Sequence, residues 1–451
     1  MSRIIAQGIR RKIEARLAVG AGGDSILRRA VNFISKQLAR NSIASNMASL
    51  LAFGVASRVV ALFAYPVLMR LYDPKAFGVL GLFSTIVSFS AIFATLRYEL
   101  AIPVCPNEND AKHILLLTML LSATCGLLVV LLVAFVMISG VLADVVVDLH
   151  GLVWLIPVAV TATGFYIALT YWAMRRSQFV AIGKTQIVKT WSEVGAQIIL
   201  NLLVAGHAGL VMGNFVGSCL GIAGLARAGR PYGSVACVSR TRILNVARLY
   251  ARFPLFNGSA ALLNEAGGRL LVLFVAQVLG PPDLGLFWLP FMLLGSLSNV
   301  AIVAGQRVYY AHAAKIVRAN ASGLQRFFAR CVGWAAVFAW PSCALLVWLA
   351  PFSVGTVVPS RWANAVPLFQ ILAPCFAAQI CTVPFITYNV VGRQHLALLW
   401  NAIHFALHVL VVVIAWFMAA EIEILAALYS FAVCLSCLIL FVINFRVVAR
   451  D

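Results

Sequence analysis

Four basic residues lie inside long apolar runs of the chain, where a charge is costly: Arg58, Arg97, Lys189 and Arg269. Three carboxylates lie close to them in sequence. Glu99 follows Arg97 by two residues, Glu193 follows Lys189 by four, and Glu265 precedes Arg269 by four. The pairs spaced i,i+4 share one helix face and can partly neutralise each other, whereas Arg58 has no near-sequence partner. By insertion scales, a charge at the centre of a bilayer costs about 2.5–3.5 kcal/mol. A face that retains several such groups is therefore expected to line a polar cavity rather than touch lipid. Arg58, Arg97, Lys189 and Arg269 are the candidate anion-binding set, and Glu99, Glu193 and Glu265 the candidate charge-pairing or coupling set. Guanidinium groups suit phosphate because their planar fork donates hydrogen bonds in pairs.

Other clusters point less clearly to chemistry. His404 and His408 are four residues apart beside Asn401, a spacing that suits interhelical hydrogen bonding, proton relay or metal ligation. Cys434 and Cys437 form a CxxC, but without a second pair they read as packing residues, like the other scattered cysteines. No nucleotide-binding loop occurs, so direct ATP coupling is not expected, and no cofactor or metal site is expected.

The elements that position these residues follow from hydropathy. The chain is 63% hydrophobic and 11% charged, against about one quarter charged in a soluble domain. A bilayer core about 30 Å thick needs roughly 20 apolar residues per helix. About twelve such runs are predicted, at 46–69, 78–103, 113–138, 151–174, 187–206, 208–226, 253–278, 286–306, 327–350, 365–391, 396–419 and 424–445. The expected fold is all-α, a polytopic membrane bundle in two parallel six-helix halves.

Charge asymmetry sets the expected orientation. With the N-terminus in the cytoplasm, the inside segments hold 27 Lys/Arg, while the outer loops hold only Arg70, Lys75 and Arg361 beside Asp144, Asp148, Asp283, Glu421 and Glu423. Both termini are then cytoplasmic. The net charge of +20 is mostly a topology signal, not evidence for a nucleic-acid partner. Residues 1–45 form a basic tail with no signal-peptide core, expected to be solvated or to rest on anionic headgroups.

An internal duplication is legible at two turns. Leu71-Tyr72-Asp73-Pro74-Lys75-Ala76-Phe77-Gly78 and Gly280-Pro281-Pro282-Asp283-Leu284-Gly285-Leu286-Phe287 each separate two apolar spans. At an offset of 207 residues Pro74 superposes on Pro281, Gly78 on Gly285 and Arg58 on Glu265. The expected divisions are a tail at 1–45, a first half at 46–226, a basic linker at 227–252, a second half at 253–445 and a short tail at 446–451. Six spans return the chain to its starting side, so the halves enter with the same orientation, with a substrate cavity between them.

The run RLYDPKAFG at 70–78, followed by LRYELAIP at 96–103, resembles the polysaccharide biosynthesis family, the O-antigen and exopolysaccharide flippases of the multidrug/oligosaccharidyl-lipid/polysaccharide exporter superfamily. The resemblance implies a bacterial inner-membrane flippase, not an enzyme. It would move polyprenyl-diphosphate-linked oligosaccharide to the outer leaflet for lipopolysaccharide or other surface polysaccharide synthesis. It further implies membrane lipid, a polymerase and chain-length proteins as partners. Two rivals remain at this stage. A drug/cation antiporter of the same superfamily should favour acidic cavity residues, and here basic intramembrane residues outnumber acidic ones by four to three. A membrane glycan polymerase or ligase needs substantial outer loops, and the longest here, around 139–150 and 351–364, carry no catalytic constellation.

Overall fold

A computed structural model describes residues 52–139, 149, 151–203, 206–229, 240–251, 253–318, 323–354, 356, 358–387 and 395–450. The basic tail at 1–45, much of the linker, Asp144, Asp148 and Arg393 lie outside the described residues. The described chain is helical, its one strand-like feature being an isolated bridge between Val354 and Val358.

Six long helices precede the linker: α1 Ala52–Leu71, α2 Pro74–Thr95, α3 Glu108–Ser139, α4 Leu155–Arg175, α5 Phe179–Leu203 and α6 Ala208–Gly229. A short amphipathic helix, α7 Arg240–Leu249, occupies part of the linker. Six more follow: α8 Ser259–Val278, α9 Pro281–Arg318, α10 Leu324–Leu349, α11 Ala365–Cys381, α12 His395–Phe417 and α13 Ile422–Arg450. Each predicted span thus has its helix, and ten of the helices are long and apolar enough to cross a membrane. Of the other two, α11 has 17 residues. In α5, polar side chains dilute the apolar ones.

Lipid-facing surface is plain on α3 and α10. Leu127, Leu131, Phe135 and Ile138 on the first, and Trp334, Phe338 and Trp348 on the second, are exposed. In water such rows would be a liability; against acyl chains they are the expected covering.

The second span ends earlier than its hydropathy suggests. α2 stops at Thr95, where Leu96 and Arg97 both take left-handed backbone conformations (φ 46° and 61°). A 3₁₀ turn then spans Tyr98–Ala101. The corner turns Tyr98, Ala101 and Ile102 into a small core with Ile114, Ala168, Trp172 and Val246 of α7. That burial opposes the cost of left-handed torsions in two non-glycine residues.

The two turns of the expected duplication meet in space. Asp73 caps α2 by accepting a hydrogen bond from the Ala76 amide at 2.8 Å, with Pro74 opening the helix. Gly280, at φ +87°, holds the corresponding position before α9, which Pro281 opens. A Cβ on Gly78 would collide with the Pro281 carbonyl oxygen, and a Cβ on Gly285 with that of Pro74. The contact is reciprocal, with each glycine seated on the partner turn's proline. Paired residues at a fixed offset that exchange contacts in this way are what a two-fold relation between repeats requires. Phe77, Leu284 and Phe287 fill the seam beneath the crossing.

Candidate functional site

The polar face of α5 explains its low hydropathy. Gln186, Lys189, Thr190, Glu193 and Gln197 recur at helical spacing and form one wall of a cavity of about 290 Å³. Across from them α1 contributes Ser57, Arg58, Ala61, Tyr65 and Leu68, spaced to share a face. Phe77, Leu80 and Ser84 of α2, Tyr166 of α4, and Leu210 and Asn214 of α6 complete the lining. Met292 of α9 is the one lining residue from beyond the linker. The cavity is thus built almost wholly by the helices before α7, where a chamber shared between halves was expected.

Glycine sets how closely α6 approaches α5. Gly209, Gly213, Gly217 and Gly221 recur every four residues, so they lie on one stripe of α6. A Cβ at Gly213 would strike Gln197, and one at Gly217 would strike Glu193 and the Lys189 carbonyl. This contact leaves the polar face of α5 pointing into the cavity.

Charge within the site is arranged differently from the i,i+4 expectation. Lys189 and Glu193 do not form a direct ion pair. The Lys189 ammonium lies 4.9 Å from the centre of the Tyr166 ring, and Glu193 accepts a hydrogen bond from the Asn214 amide at 2.7 Å. A cation over an aromatic face keeps its charge available while partly compensated. Arg58 is exposed at the cavity. Two cations and one carboxylate therefore face the same space, which gives it a net positive charge.

The remaining predicted site residues lie elsewhere. Arg97 and Glu99 pair at 3.7 Å in the corner after α2, with the Glu99 side chain 1% exposed. Burial raises the Glu99 carboxyl above its usual range, against the opposing pull of Thr95 and Arg97. Glu265 and Arg269 pair at 3.3 Å on α8 and line no part of this cavity. The structure thus brings together Arg58, Lys189 and Glu193, and leaves Arg97, Glu99, Glu265 and Arg269 outside. His404 bonds Ser436 of α13 through Nδ1 at 2.8 Å, and His408 bonds the His404 carbonyl at 2.7 Å. The first bond ties α12 to α13 and the second lies within α12, where the His408 ring meets that of Tyr429 of α13 edge-on at 5.3 Å.

Tyr65, Tyr166, Gln186 and Asn214 were not picked out by sequence reasoning. The polar period on α5 and the four-residue glycine spacing on α6 are the signals that point to that wall.

Twelve long helices among the described residues, with exposed apolar surface and a cationic, polar cavity built mainly by the first six, define a multi-pass membrane protein. The chain belongs to the polysaccharide biosynthesis protein family, which it matches over residues 67–367. A search of curated proteins gives no match. Among solved structures it is similar to the lipid II flippase MurJ in an inward closed conformation (TM-score 0.67, 9% identity, covering 88% of this chain and 89% of that one). It is also similar to an outward-facing multidrug resistance MATE family transporter of the MOP superfamily (0.60, 10%, 90% and 95%). A third is a MOP superfamily transporter from Pyrococcus furiosus described as having a binding pocket of reverse polarity (0.55, 10%, 90% and 95%). At these identities the likeness shows a shared fold.

Proposed function

We propose that the chain is a flippase that carries polyprenyl-diphosphate-linked oligosaccharide units to the outer leaflet by alternating access, for surface polysaccharide synthesis. The observation that carries this reading is the convergence of Arg58 and Lys189 on one cavity inside an apolar helical bundle. A diphosphate left unpaired in hydrocarbon is prohibitively costly, so its crossing needs cations that replace water. Arg58 supplies paired donors and Lys189 a mobile point charge. Ser57, Thr190, Gln186 and Asn214 offer hydrogen bonds to sugar hydroxyls, and Tyr166 offers an aromatic face. Glu193, held by Asn214, keeps the cavity from being wholly positive.

In this reading, residues 46–226 and 253–445 are the two moving halves, 227–252 is their cytoplasmic linker, and both termini are cytoplasmic in a bacterial inner membrane. The reciprocal crossing of the duplicated turns supports the division. Family membership supports the glycan context.

The test is lipid extraction from a deletion strain, with mass spectrometry of polyprenyl-diphosphate species and an assay for surface polymer. Accumulated full repeat units with lost polymer are expected. An unchanged lipid profile with drug hypersensitivity would move the function to cation antiport, and accumulated surface-exposed single units would move it to polymerisation.

A further inference from the structure

Two of the three Lys/Arg on the sparsely charged face, Arg70 and Arg361, make the same kind of contact. The Arg361 Nη2 group donates to the Met69 carbonyl at 2.8 Å and to the Arg70 carbonyl at 2.5 Å. The Trp362 indole N–H donates to the Met69 carbonyl at 3.0 Å. Arg70 returns a bond to the Thr356 carbonyl at 3.0 Å. The last carbonyls of α1 have no partner within their own helix, and a cation there also opposes the helix dipole. The turn Ser360–Trp362 supplies both, from nearly 300 residues away.

These contacts bear on the cavity directly. Trp362 is fully buried and meets the ring of Phe77 edge-on at 5.1 Å. Phe77 and Leu68, the residue before Met69, both line the cavity. The turn therefore presses on the chamber wall where α1 ends and α2 begins. Its polar half is made wholly to backbone carbonyls. The bonds from Arg361 to the Arg70 carbonyl and from Arg70 to the Thr356 carbonyl are exposed, where water can take them over on separation, while the Trp362 bond to Met69 is buried. Its apolar half, Trp362 against Phe77, makes the seal.

We propose that Arg361 and Trp362, on the turn Ser360–Trp362, form a releasable clasp that closes this end of the cavity and set how often that end opens. The proposal rests on the alternating-access reading. In the opposite-facing state α1 and the turn part, and the chamber reaches the outer side.

A thiol reporter in the cavity tests this. Ser84→Cys is a near-isosteric change at a lining position, and a membrane-impermeant maleimide applied to intact spheroplasts reaches it only through the outer end. The parent chain without the added cysteine gives the background. Arg361→Gln is expected to raise the labelling rate about tenfold, the size of losing charge-assisted hydrogen bonds at a two-state equilibrium. Trp362→Phe, which keeps a ring against Phe77 but loses the N–H, is expected to raise it less, and Arg361→Lys to restore part of the closure. If Arg361→Gln does not fold, Arg70→Gln removes only the exposed bond to Thr356 and is expected to give a smaller rise. Equal labelling rates in folded variants overturn the clasp. Labelling uses no glycolipid, so a change in rate stands whether or not the lipid analysis identifies a diphosphate-linked cargo.

Discussion

Arg58 and Lys189 face the same cavity from different helices, and their chemistry differs in a way that kinetics can read. Arg58→Gln removes a planar donor pair, and Lys189→Gln removes a charge already shared with Tyr166. Each variant is expected to lower transport of the lipid-linked unit by about tenfold or more, with Arg58→Gln the more severe. The comparison uses membranes with equal amounts of folded protein and counts accumulated lipid-linked repeat units by mass spectrometry. Full transport in both would remove the cavity from the mechanism. Glu99 offers a separate check, on stability. Its carboxyl is raised by burial in the folded state, so folding binds a proton there more tightly than the unfolded chain does. Its contribution to stability is full below the ordinary carboxylate range and is lost as pH rises through the raised folded value. Glu99→Gln is therefore expected to melt higher than wild type at neutral pH, with the gap closing on acidification. A lower melting point at neutral pH would mean that the pairing with Arg97 outweighs the burial.

At the scale of elements, the α5–α6 contact decides whether the polar wall exists at all. Gly217 sits where a Cβ would strike Glu193 and the Lys189 carbonyl, so a valine there must push the helices apart. Gly217→Val is expected to destabilise the protein by about 1–3 kcal/mol, the usual cost of overpacking, and to abolish transport while Arg58 and Lys189 remain. A thermal melt with a parallel transport assay checks both parts. This contact also shows where sequence reasoning reached and where it stopped. The charges at Arg58, Lys189 and Glu193 were legible because a charge in an apolar run has few innocent explanations. Arg97 and Arg269 carried the same signal, yet they pair locally with Glu99 and Glu265 outside this cavity. Hydropathy cannot separate the two cases, because the difference lies in which helix stands opposite. The break after Thr95 was hidden for a related reason. Leu96 and Arg97 have no turn chemistry of their own, and the corner forms because Trp172 and Val246, distant in sequence, help to bury Tyr98, Ala101 and Ile102 just beyond it.

For the whole molecule, the crossing of these two turns brings the backbones of α2 and α9 into direct contact. Gly78 against Pro281 and Gly285 against Pro74 are one crossing seen from its two sides, because each glycine meets the residue that corresponds to its own proline. Alanine at either position puts a methyl against a backbone carbonyl, which cannot rotate away, so α2 and α9 must separate. Gly78→Ala and Gly285→Ala are each expected to cost about 1–3 kcal/mol by overpacking, with similar values by symmetry. The double variant distinguishes a shared crossing from two separate contacts. Once one methyl has spread the helices the second meets a gap already opened, so the pair should cost clearly less than the sum of the singles. Melting temperatures of the four proteins in one membrane mimetic give the coupling. Strict additivity would show that the turns yield independently, and the seam could not then act as a common pivot for opposed motion of the helices before and after α7.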